Sequence, residues 1–243
     1  MAVSVDTVYQ KVLGILNKEQ RGYVTAQEFN LFANQAQLDL FEQYFYDINQ
    51  FGRIPGNDTE YSDMLNMLDK KLAPFQTSAS LTYDAVNNHF DLPADLYRLG
   101  TVIYGNTTTS NFGVTSTEQI EAERINQNEI LYINSSPLTK PVNTRPIYTQ
   151  NSAGLNVFGA AELITNVSCT YIKKPAKVQW AYTIVFDEPL YNASNSVNFE
   201  LDPSEETELV IKILELSGLL IKDFNIYNAI NQEEIETIQQ EKS

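Results

Sequence analysis

The chain has 243 residues, with 31 acids against 16 Lys and Arg, and a formal charge of −15. An acid excess of that size repels phosphates, which excludes a general nucleic-acid binder unless the few bases cluster. Apolar residues at 43% and aromatics at 11% are enough for a packed core at this length, so wholesale disorder is excluded too.

The first 75 residues have helical period. Val5, Val8, Val12 and Leu16 recur at three- and four-residue steps. Thr25-Ala26-Gln27-Glu28 is a capping box, and it predicts a long helix with the stripe Phe29, Phe32, Ala36, Leu40, Tyr44 and Ile48. That helix should stop before Gly52 to Asp58, where Pro55-Gly56 ends regular structure. Tyr61, Met64, Leu65, Leu68 and Leu72 mark a third helix, closed by Pro74.

From Thr77 to Phe199 the pattern changes to short strands between Asn, Gly, Pro and Ser. The predicted strands are 80–83, 88–92, 99–104, 147–150, 155–158, 167–173, 183–186 and 197–201, with a hairpin loop at Asn151-Ser152-Ala153-Gly154. One inserted helix is predicted from Ser116-Thr117-Glu118-Gln119 to about Gln127. Asp202-Pro203-Ser204-Glu205 then opens a C-terminal helix with an N-cap, a proline in the first turn and a Glu able to reach back. Leu209, Ile213, Leu216 and Leu220 form one stripe of it, and Val210, Leu214, Ser217 and Ile221 the next, so it must be covered on more than one side. A weaker helix follows from Asp223 to Ser243.

The expected class is α+β: N-terminal helices, a central mainly antiparallel β region with one inserted helix, and C-terminal helices. The divisions fall at 1–75, 76–201 and 202–243, the last packed with the N-terminal helices as one folded unit.

Little in the sequence carries chemistry. One cysteine, Cys169, excludes an internal disulfide and CxxC metal sites, and one histidine, His89, excludes His-rich sites. Phosphate loops and the Gly-x-Ser-x-Gly elbow do not occur. His89 and Cys169 sit in predicted strands, where a structural imidazole and a small buried thiol are expected. Asp47-x-Asn49-x-Phe51-Gly52 with Asp58 imitates a calcium loop, but Phe51 cannot ligate and Asp58 is too short for a bidentate twelfth ligand. Acid pairs such as Asp187/Glu188 and Glu205/Glu206 raise a glycosidase reading, although adjacent residues rarely face one site and Glu205/Glu206 suit the first turn of a helix. Neither a cofactor nor a metal is expected. No apolar run is long enough to cross a bilayer and residues 1–12 lack the marks of a secretory signal, so a cytosolic, membrane-free origin is expected, and the Asn-x-Ser/Thr triplets carry no weight.

Charge is unevenly placed. Residues 200–243 carry eleven acids and three bases, whereas 138–180 carry Lys140, Arg145, Lys173, Lys174 and Lys177 against Glu162 alone. Such poles would orient an encounter between copies or partners and add little affinity. Lys173-Lys174-Pro175-Ala176-Lys177, beside Tyr171 and Trp180, could imitate a base-stacking platform; the expected reading is a sheet edge protected by lysines and proline.

Four segments together resemble the head-to-tail connector proteins of tailed bacteriophages, especially the tail-adaptor or ring proteins beneath the portal in short-tailed, crAss-like phages. They are 90–99 (FDLPADLYRL), 144–148 (TRPIY), 171–175 (YIKKP) with Trp180 downstream, and 199–215 (FELDPSEETELVIKILE). The last is the most specific, and Asp202 stands in it where the family often has His. The resemblance implies a structural virion protein rather than an enzyme, a subunit of a twelvefold ring joining capsid to tail. Its partners would be further copies of itself, the portal protein and other connector or tail rings, with double-stranded DNA passing through without specific binding. Candidate contact residues are Lys140, Arg145, Lys173, Lys174, Lys177, Trp180, Glu205, Glu206, Glu208, Leu209, Ile213, Leu216 and Leu220. The competing expectations are a virion-associated cell-wall hydrolase using paired carboxylates and a receptor-binding or other tail protein.

Overall fold

Val5, Val8, Val12 and Leu16 are all buried, and the helix that carries them is α1 (Val5–Lys18). The Thr25 capping box forms as predicted. Glu28 N donates to Thr25 Oγ1 at 3.3 Å and Thr25 N donates to Glu28 Oε2 at 2.8 Å, opening α2 (Ala26–Phe51). Buried Ala33 and Ala36 on α2 leave room for a close neighbour. The third helix, α3 (Met64–Leu72), runs into a 3-10 turn at Ala73–Phe75. In the computed structural model the described residues are 3–18, 24–51, 64–109, 115–186 and 188–221. Tyr61, Asp58 and the weak helix from Asp223 lie outside them.

The fold is α+β, in two compact units: Met1–Pro74 with Pro175–Ser243, and Phe75–Lys174. The Phe75–Lys174 unit starts with β1 (Gln76–Ser80), β2 (Tyr83–Asp84) and β3 (His89–Phe90). Next come the long β4 (Leu96–Thr109), β5 (Thr115–Glu121), β6 (Glu123–Arg124) and a short α4 (Ile130–Ser135). It ends with β7 (Ile147–Gln150), β8 (Leu155–Phe158) and β9 (Val167–Lys173). One sheet has the order β1-β9-β4-β5 and the other β2-β3-β8-β7-β6; among the named pairs, β6–β7 is parallel and the rest are antiparallel. Buried side chains alternate along β8 and β9, and Val102, Tyr104, Val167 and Cys169 from one sheet join Phe90, Tyr148, Leu155 and Val157 from the other in a single core.

The predicted helix at 116–127 is instead β5 and β6. The Thr- and Ser-rich run pairs in continuous register with β4, from Ile103 opposite Glu121 to Thr109 opposite Thr115, and Thr107 and Thr108 meet Thr117 and Ser116 through their hydroxyls. A cross-strand partner outweighed a local capping signal. Strand β9 lies inside its sheet between β1 and β4, so the expected protected edge at Lys173 is corrected to an interior strand that ends there. The hairpin loop at 151–154 does form, with Asn151 Oδ1 accepting from the Ala153 and Gly154 amides.

The other unit regains the chain at Pro175. Residues 176–180 run alongside α2 and are followed by a hairpin of β10 (Tyr182–Val185) and β11 (Glu188–Tyr191). The expected strand at 197–201 is reduced to single bridges, Val197 with Gln179 and Phe199 with Val3. A 3-10 turn at Pro203–Glu205 leads into α5 (Glu206–Ile221), which packs on α1 and α2. Asp202 caps that turn, accepting from Ser204 N at 3.0 Å and Ser204 Oγ at 2.8 Å.

The segment 175–201, predicted as part of the central β region, groups with the helices because α2 offers it a substitute strand edge. Asn30 accepts from Trp180 N at 2.7 Å and donates to Trp180 O at 3.2 Å. Asn34 does the same with Val178, at 2.9 Å and 2.8 Å. Gln37 donates to Ala176 O at 2.9 Å and accepts from Glu200 N at 3.2 Å. Four helical residues rise about 6 Å and two strand residues about 6.6 Å, so amides one helical turn apart meet every second strand residue.

Candidate functional site

The sequence-named contact residues divide sharply by burial. Trp180, Leu209, Ile213 and Glu205 lie in the interior of their own unit and have no surface to give a partner. Trp180 is packed at 4.1 Å from the Tyr9 ring, and its Nε1 donates to Asp6 Oδ1 at 3.0 Å, so it is no stacking platform. Glu205 does not reach back to the start of its turn. Its carboxylate, 4% exposed, meets Lys71 Nζ at 2.6 Å. Glu206 pairs with Lys11 at 2.5 Å. Glu208 and Leu216 are half-buried, and Leu220 lies at the end of α5, beyond the side chains described. Lys140, Arg145, Lys174 and Lys177 are exposed and Lys173 is half-buried.

Cys169 and His89, the two residues weighed for catalysis, are both buried on strands, β9 and β3. Cys169 is fully buried and its burial pushes the thiol pKa up, away from the reactive thiolate. His89 Nε2 lies 3.3 Å from Asp91, and Asp84 is the third member of a group whose donor atoms fall within 4.8 Å of one another. Asp84 accepts from the Val86 and Asn87 amides and from Asn87 Nδ2, and these bonds hold its pKa below the ordinary value. They close the four-residue turn between β2 and β3, which includes Asn88 at φ 54°. The cluster is a turn clamp.

The Phe75–Lys174 unit has a cleft of about 420 Å³ between β4 and the β5–β7 region, and Glu121, Glu123, Arg124, Arg145 and Tyr148 are among its lining. Its four charges balance, and burial raises the Tyr148 phenol pKa.

Two exposed apolar surfaces stand out, one on each unit. On the hairpin, Ile184, Val185, Phe186 and Leu190 are exposed, Phe186 at 98%. On the other unit, Leu131 and Tyr132 of α4 and Leu138 and Val142 of the loop after it are exposed, Leu138 at 89%. The loop is braced on itself: Thr139 Oγ1 donates to Ile133 O at 3.2 Å, Lys140 N to Ser136 O at 2.9 Å, and Arg145 Nη2 to Leu138 O at 3.2 Å. Sequence reasoning named Lys140 and Arg145 here but missed the apolar residues beside them. The hairpin was missed because its turn lacks the usual Gly or Asn.

No helix among the described residues is long and apolar enough to cross a membrane. No protein-family model matches the chain, and no curated protein matches it.

Proposed function

We propose that the chain is a structural subunit that assembles with copies of itself into a ring of the head-to-tail connector beneath a phage portal, lining the path of the genome. The observation that carries this reading is the pair of exposed apolar surfaces on two different units. A ring is built from heterologous contacts, which require two unlike complementary patches on every subunit. Exposed apolar patches of this kind mark association surfaces. The resemblance of segments 90–99, 144–148, 171–175 and 199–215 to connector proteins supplies the location, and a net charge of −15 per copy suits a bore through which DNA slides without adhering.

Negative-stain imaging of the concentrated chain tests the reading. Closed rings with a central bore are expected. Particles that never close into rings, alone or on an added portal, would remove it. A second reading, a wall hydrolase, draws on Glu121 and Glu123 sharing one cleft. A zymogram separates the two, since the connector reading expects no clearing and a hydrolase would clear in a manner abolished by Glu121→Gln or Glu123→Gln.

A further inference from the structure

We infer that the β10–β11 hairpin of one copy docks on segment 130–145 of the next copy, with Phe186 as the anchor. This rests on the ring reading above and names the two surfaces that would join neighbours.

Phe186 follows Val185, which pairs with Glu188 across the hairpin. Its φ is 52°, a left-handed conformation that Gly or Asn adopts readily and that is strained for a bulky aromatic residue. The ring is 98% exposed, so packing within the chain does not compensate that strain. Strain that the chain's own packing does not repay is a mark of a functional position.

The base of the hairpin is fixed. Tyr182 and Tyr191 stack on buried Trp180, with ring centroids 5.8 Å and 5.7 Å away, and Asn192 N donates to Ala181 O at 2.9 Å. Beyond that base, a two-stranded hairpin is marginal in water unless something covers it. The exposed Ile184, Val185 and Leu190 are what a partner would cover.

Charge points to the occupant. Residues 182–191 carry two acids, Asp187 and Glu188, and no base; residues 130–145 carry Lys140 and Arg145 and no acid, with Glu129 just ahead at the start of α4. Both segments expose apolar side chains, and by sequence their charges are opposite in sign. They belong to the same chain, so a second copy supplies the complement to each. Because donor and acceptor differ, the contact can repeat in one direction from copy to copy, and it builds a ring where the rotation between copies closes.

The test compares the wild-type chain with Phe186→Gly and Leu138→Asp by sedimentation velocity up to the highest attainable concentration, with thermal unfolding alongside. Wild type should associate beyond a dimer. Each variant should associate at least about thirtyfold more weakly, the loss expected for an anchor residue. An equimolar mixture of the two should stop at dimers, since it holds one intact hairpin and one intact acceptor per pair. At a concentration low enough that both are monomeric, Phe186→Gly should unfold at the same or a higher temperature than wild type, and thermal stability is compared only there. Rings or higher oligomers that persist in both variants would overturn the docking and leave the ring reading standing. A wild-type chain that never associates beyond a dimer, alone or on an added portal, would overturn both. A clear loss of thermal stability in Phe186→Gly would make the ring part of the chain's own packing and end its role as an anchor.

Discussion

The carboxylate of Glu205 is tolerable at 4% exposure because Lys71 Nζ lies 2.6 Å from it and stays partly wet at 23% exposure. Removing one partner of such a pair strands the other, a larger loss than the pair's net worth. Lys71→Met should therefore cost about 2 kcal/mol of unfolding free energy in urea titrations, and Glu205→Gln added to it should recover much of that. The adjoining Asp202 cap has a pH signature. Its pKa is held below the ordinary 3.8, first by the Ser204 backbone bond and then by the Ser204 hydroxyl. A depressed folded-state pKa means its contribution is complete above the unfolded-state value and is lost as pH falls through the folded one. Asp202→Ala should cost about 1 kcal/mol at neutral pH, and the difference from wild type should shrink as denaturation is followed downward from pH 4. Gly154 is a third fixed position. A Cβ there would lie 2.2 Å from the Phe90 carbonyl oxygen, where β3 meets β8, so the backbone itself would have to move.

At the scale of elements, the amide ladder from α2 to residues 176–180 is the least ordinary join in the molecule. Asn34 accepts from one buried backbone group and donates to another, so its truncation leaves two orphans at once. Asn34→Ala should lower stability by about 2 kcal/mol in chemical denaturation. Asn34→Asp, which keeps the acceptor and loses the donor, should fall between. Helices were the easier part to read from the sequence. The Val5 to Leu16 stripe, the Thr25 box and the Asp202 cap are local signals, the first spanning twelve residues and the others four, and each appears in the structure where the sequence places it. Strands were harder. Strand β5 carries a capping-box pattern, and it is extended because β4 offers a register of seven paired residues that no local window contains. Residues 176–180 are held by the side chains of a helix, a pairing that no short sequence window marks.

For the whole molecule, charge sets how copies approach. Two chains of −15 with centres roughly 40 Å apart repel by about 20 kcal/mol in unscreened water, whereas an exposed ion pair at their contact contributes about 1 kcal/mol or less. Repulsion wins at low salt, and a screening length of about 8 Å at physiological ionic strength removes most of it. Self-association measured by sedimentation should thus strengthen as salt rises from low to physiological; weakening over that range would show that contact pairs dominate instead. Near the sequence pI of 4.4 the repulsion vanishes, and turbidity should peak there.

By itself the sequence determined the helical ends, the β-rich middle, the caps and the acid excess, because periodicity, capping chemistry and charge are properties of short windows or of composition. It also placed Leu209 and Ile213 on an apolar stripe, without saying whether chain or partner covers them. Only the tertiary structure decided that: it buried both together with Trp180, paired Glu205 with Lys71 and exposed Phe186 at a strained turn. Burial and exposure depend on what arrives from elsewhere in the chain, and a pattern of residue types carries no record of which distant segment that will be.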